Sequence, residues 1–218
     1  MVIRIEKEHK NENKLKDFWK WLGESDSWLS YIVFLVIVFI FVKFIFLPTL
    51  GFVFGLGFSL TSLPLAIVES SSMDHNILDE TGVNEICGKT FDKKQFLDSK
   101  EYWNNCGLWY EQNTNITEEQ FQTYSFKNGF RKGDLIIIFG KNNIEVGEVI
   151  IFNAGRNHPV IHRVISLNPI QTKGDHNSAQ LSIEQNIAQN QVIGTAVARI
   201  PYIGWIKLFF VEIFNGFK

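Results

Sequence analysis

HPVIHRVISL, residues 158–167, is rich in β-branched side chains, which argues for a strand rather than a helix. Similar runs lie on both sides of it, DLIIIFG (134–140), VGEVIIFNAG (146–155) and NQVIGTAVARIPYIGW (190–205), with turn residues between them. No helical pattern long enough for parallel-strand crossovers intervenes, so these runs predict an antiparallel sheet. PLAIVESSS (64–72) reads as a further strand, and the fold class expected is mainly β.

N-terminal to this region stands WLSYIVFLVIVFIFVKFIFL (28–47), whose only charge is Lys43. Twenty such residues form enough helix to cross about 30 Å of hydrocarbon. Lys43 is read as lying near one end, where its stem carries the ammonium toward the headgroups. Polar residues precede the run and no small-residue cleavage site follows, so the segment reads as a retained anchor. Lys10, Lys14, Lys16 and Lys20 precede it, and no Lys or Arg appears between Lys43 and Lys89. That asymmetry puts the N-terminus in the cytoplasm and the rest outside, a single crossing in the cell membrane. A second span could be drawn through the uncharged residues to Val68, but Pro48, Gly51, Gly55 and Gly57 interrupt it.

The expected organisation is therefore a cytoplasmic segment (1–27), a transmembrane helix (28–47) and an apolar membrane-proximal segment (48–65). A β domain (66–76 and 131–205) carries an inserted irregular or helical subdomain (77–130), and an apolar tail (206–218) closes the chain. The insert is polar, Asn-rich and aromatic, with Thr117 as an expected helix N-cap. Asn115-Ile116-Thr117 is a glycosylation sequon. Cys87 and Cys106 fall outside the membrane, where a disulfide persists. If joined, they would close a loop of roughly fifteen to twenty residues and contribute about 3 kcal/mol.

A net charge of −2 argues against nucleic-acid binding. Metal chemistry is not expected: His158 and His162 share a strand face, but about 13 Å apart at strand rise. No cofactor is expected either. Ser72, in VESSSM, combines better with His162 and Asp175. A serine hydroxyl is a poor nucleophile until a base takes its proton, and an acid behind that base fixes its tautomer.

Taken in order, VESSSM, RKGDLIII, VGEVIIF, VIHRVIS, TKGDHN and VIGTAVARIPYIGW, following an N-terminal anchor, resemble type I signal peptidases of the archaeal and endoplasmic-reticulum branch. The resemblance runs from the anchor to about Trp205, with 77–130 as an insert. It implies that Ser72 is the nucleophile and that the Ser70 hydroxyl joins the Ser72 backbone N–H in an oxyanion hole. His162 stands where the bacterial branch has its lysine base, which implies a Ser-His mechanism. Gly174-Asp175 matches the family's G-D box and makes Asp175 the candidate orienting acid. His75 is a rival base close to Ser72, and Asp134 is assigned to a turn.

Two departures stand out. Leu181 occupies the place of a second family acid, leaving Glu184 as the nearest carboxylate downstream, and Asp74-His75-Asn76 follows the methionine where many members have a proline. Which acid orients His162 stays open, with Asp175→Ala expected to be the more severe change. The implied activity is removal of signal peptides from preproteins at the bilayer surface, alone or with export machinery. The substrate would lie extended along PLAIVES. The alternatives are a non-enzymatic anchored binding module, or a serine protease with a specialised propeptide substrate.

Overall fold

Ser27 opens the long apolar helix by accepting the Leu29 N–H on its side chain, which satisfies one of the unpaired donors of the first turn. In the computed structural model, which describes residues 14–56, 64–77, 84–140, 143–156, 158–206 and 208–209, this helix α1 runs Trp28–Val53. Helical residues 14–24 precede it. The expected end at Leu47 is therefore too early. Pro48 does not stop the helix because Val42–Phe46 widen into a π-turn, with the Leu47 N–H reaching back to the Val42 carbonyl. Lys43 consequently sits well inside the helix rather than near its end, with its ammonium over the Phe39 and Phe44 rings. Much of the expected membrane-proximal segment, 57–63, lies outside the described residues, as do most of the C-terminal tail and His9.

Helix α1 ends against the sheet. Gly55 adopts φ +71°, the Gly140 N–H donates to the Phe54 carbonyl at 2.7 Å, and the Phe54 and Phe139 rings lie 6.2 Å apart. A Cβ on Gly140 would stand 1.9 Å from the Gly55 oxygen, so only glycine permits this approach.

The main sheet has six antiparallel strands in the order β1-β4-β8-β5-β6-β7: β1 Leu65–Ile67, β4 Leu135–Phe139, β5 Val149–Phe152, β6 Val160–Leu167, β7 Ile170–Lys173 and β8 Val192–Ile200. A separate hairpin pairs β2 (Glu85–Ile86) with β3 (Lys89–Thr90). The expected antiparallel architecture is present, and β1 occupies an edge. Strand β5 is buried on both faces, as its central place and unbroken apolar run require. In β6 the period of two sends His162 and Arg163 to opposite faces, and Arg163 pairs with Lys173 while Val164 pairs with Thr172. The site is built on that division.

The insert contains two helices, α2 (Ser99–Asn113) and α3 (Glu118–Thr123). Each begins with a capping box: Asp98 with Glu101, and Thr117 with Gln120, as the sequence suggested for Thr117. Helix α2 was not foreseen, because its apolar positions are aromatic and interrupted by asparagines. Tyr102, Trp103, Cys106, Tyr110 and Phe121 nevertheless form a buried core with Ile77, Ile86, Leu97 and Ile165 of β6. Cys87 and Cys106 are joined by a disulfide, with Cα atoms 5.7 Å apart, tying α2 to the hairpin.

Candidate active site

Val68 and Met73 are buried on either side of the serines, and the short loop between them holds Ser70 exposed and Ser72 half-buried. Two backbone bonds clamp the loop from opposite directions: His176 N–H to Ser72 O at 2.9 Å, and Phe130 N–H to Met73 O at 2.8 Å. Ser72 Oγ thereby meets His162 Nε2 at 2.9 Å, and Ser70 Oγ stands 3.3 Å from Ser72 Oγ. Residues ninety positions apart are brought to hydrogen-bond distance, the arrangement a serine needs to lose its proton to imidazole.

Behind the ring, His162 Nδ1 hydrogen-bonds Glu184 Oε1. Glu184 is fully buried at the end of a 3₁₀ turn, Ser182–Glu184. Its carboxylate also accepts the Thr172 hydroxyl at 3.2 Å and the Leu181 N–H at 2.6 Å. Gln180 Nε2 donates to the Thr172 and Glu184 carbonyls and fastens the turn to β7. The Thr172 and Leu181 donors hold the carboxylate in place against the imidazole.

Asp175 does not reach His162, which corrects its expected place. It lies on the Arg163 face of the sheet, where Arg163 grips it through Nε to Oδ1 at 2.9 Å and Nη2 to Oδ2 at 2.7 Å. His75 Nε2 stands 3.2 Å from Oδ2, and the Tyr110 hydroxyl donates to Oδ1 at 3.3 Å. Burial alone would raise the Asp175 pKa, but the Arg163 guanidinium and the His75 hydrogen bond outweigh it and hold the carboxyl well below the usual range. Burial pushes the Tyr102 and Tyr110 hydroxyls up, so both stay protonated and donate. Arg163 completes the cluster by donating to the Ser125, Phe126 and Gly147 carbonyls and facing the Phe121 ring. Sequence reading did not anticipate this role for Arg163. Its adjacency to His162 on a strand was the available signal, since neighbours there must face opposite ways.

The remaining candidates fall elsewhere. His75 stacks on Tyr102, with centroids 3.9 Å apart, and engages Asp175 rather than Ser72. His158 is exposed and 3.8 Å from Glu69. Asp134 Oδ2 accepts the Arg131 N–H within its turn. No cluster of metal-ligating side chains occurs among the described residues.

Gly174 separates the two faces. A Cβ there would lie 2.7 Å from Ser72 O and 2.8 Å from His162 Nε2, so the chain passes under the Ser-His pair only without a side chain. A groove of about 1190 Å³ opens over the pair, walled by β1, by Pro159 and the first two residues of β6, Val160 and Ile161, and by Leu181 and Ile183. Leu56, just past the end of α1, lines the same groove. Among the described residues β1 is an edge strand, along which a peptide can enter and present a carbonyl to Ser72 close to where α1 ends.

No family model matches the chain. Among individual proteins, it is similar to the signal peptidase complex catalytic subunit SEC11 of Colletotrichum graminicola, with 34% identity over 40% of this chain and 60% of that one. The proteins of the same name from Pyricularia oryzae and Neurospora crassa are each 28% identical over the same shares. The chain thus spans about 60% of the length of the curated relatives it matches. These relatives are fungal, so the archaeal half of the expected branch finds no support among them.

Proposed function

We propose that the chain is a type I signal peptidase, a membrane-anchored serine endopeptidase removing N-terminal signal peptides from exported preproteins, a reading supported by its similarity to the SEC11 subunits. The observation that carries this reading is the chain of contacts from Ser72 through His162 to Glu184, set beneath a groove that Leu56 extends to the end of α1. Ser72 Oγ attacks the scissile carbonyl while His162 Nε2 takes its proton, and Glu184 stabilises the imidazolium that forms. The oxyanion is met by the Ser72 N–H and the Ser70 hydroxyl, each such donor being worth about 10²- to 10³-fold in rate. His162 returns the proton to the departing amine, leaving an acyl-enzyme on Ser72. Water then attacks that ester through the same base and frees the trimmed product's leader.

Location supports the substrate. A signal peptide has an apolar core followed by small residues at its cleavage point, so its protease must work at the bilayer surface. Helix α1 is long and apolar enough to span, and its lysine-rich N-terminal flank favours the cytoplasmic side, with the catalytic domain on the extracytoplasmic face of the cell membrane. Because the relatives carry the name of a complex, partner subunits belong to the proposal. The test is incubation of the detergent-solubilised protein and its Ser72→Ala variant with a model preprotein. A single shortened product from the first and none from the second is the expected result, and cleavage by both would refute the assignment.

A further inference from the structure

The turn after β7 carries a polar side chain that the mechanism above leaves unused. Asn177 lines the groove with Ser72 and His162. Its amide has no hydrogen-bond partner among the described residues, although its backbone is held twice: the Asn177 N–H donates to Gly174 O at 3.0 Å, and Lys173 Nζ donates to Asn177 O at 2.7 Å. Lys173 Nζ also donates to Gly174 O at 3.0 Å, so both ends of the turn are fixed to one buried ammonium. The amide is thus aimed by rigid backbone into the groove.

Its position is defined by Gly174. Asn177 Nδ2 and His162 Nε2 lie 2.6 and 2.8 Å from the same point, the place a Cβ on Gly174 would occupy. During acylation the departing nitrogen must sit at His162 Nε2 to receive its proton. The first carbonyl on the far side of the scissile bond is only two bonds from that nitrogen, within reach of a donor so placed. The Ser70 hydroxyl, by contrast, approaches Ser72 Oγ at 3.3 Å, where it serves as the oxyanion donor.

We propose that the Asn177 carboxamide binds the leaving half of the substrate, its Nδ2–H donating to the backbone carbonyl of the residue just after the cleavage point. This rests on the peptidase reading and adds a binding group for the mature end of the preprotein. A neutral hydrogen bond of this kind is worth about 3- to 10-fold in kcat/KM.

The experiment uses the full chain in detergent and two substrates with the same residues before the cleavage point. One continues as a peptide, and the other ends as a methyl ester, which has no carbonyl beyond the scissile bond. Asn177→Ala, and Asn177→Leu as a shape-matched control, are expected to lose about 3- to 10-fold on the peptide and nothing on the ester. Equal losses on both substrates, or no loss on either, would overturn the proposal. Failure of the wild-type chain to cleave either substrate would instead strike the peptidase reading itself.

Discussion

His162 and Arg163 are neighbours in the chain and serve opposite faces of the sheet, and this division separates the two acids. Glu184 shares the His162 face and Asp175 the Arg163 face, reversing the expectation that Asp175 orients the imidazole. Glu184→Gln is expected to lower kcat by about 10²- to 10⁴-fold with little change in the thermal midpoint, because the ring loses the acceptor that fixes its tautomer. Kinetics and a melting curve on the same preparation check both halves. Asp175→Ala acts through folding: it leaves the Arg163 guanidinium buried without its main partner and should cost about 3 to 5 kcal/mol. The sign of its pH dependence follows from the lowered carboxyl pKa. Asp175 contributes fully above the unfolded carboxylate pKa of about 4, and the contribution is lost as pH falls toward the lower folded value. The gap in thermal midpoint between wild type and Asp175→Ala should therefore be widest near neutral pH and shrink on acidification below about 4.

At the scale of elements, the insert is a support for the site. Helix α2 sends Tyr102 to the Asp175 carbonyl at 2.8 Å and Tyr110 to its carboxylate, while the Cys87 N–H donates to His176 O at 2.9 Å. The Cys87–Cys106 disulfide thus joins the helix and the hairpin that together brace the segment after Gly174. Replacing both cysteines with serine should lower stability by about 3 kcal/mol, the chain-entropy value for a loop of this size. A reductant should lower the wild-type midpoint by a similar amount and leave the double variant unmoved. The caps of α2 and α3 are local signals, and the Thr117 cap was readable from sequence. The face that α2 buries was not, since it is set by packing with Ile165 of β6 and Phe121 of α3 rather than by any periodicity of its own.

On the scale of the molecule, one long helix is docked to a sheet through glycine contacts at Gly55 and Gly140, which holds the groove beside the end of α1. In the proposed topology the flanking lysines orient the whole. In sealed vesicles with the cytoplasmic face outward, added protease should remove an N-terminal tag and spare the disulfide-bearing domain. Digestion of that domain with the tag protected would reverse the topology.

The chain by itself determined the long apolar helix and the antiparallel sheet, because each rests on composition or periodicity that local physics enforces, while the ordered motifs of the resemblance singled out Ser72 and His162, which the structure brings into contact. Even the separation of His162 from Arg163 is written in the alternation of a strand. Which acid stands behind the imidazole was decided only by tertiary structure. Glu184 arrives from a turn whose path depends on its own hydrogen bonds to Thr172, Leu181 and Gln180, and contacts between segments so formed leave no periodic trace in the sequence. The same holds for the length of α1, where a π-turn, rather than any rule about proline, settled how far the helix runs.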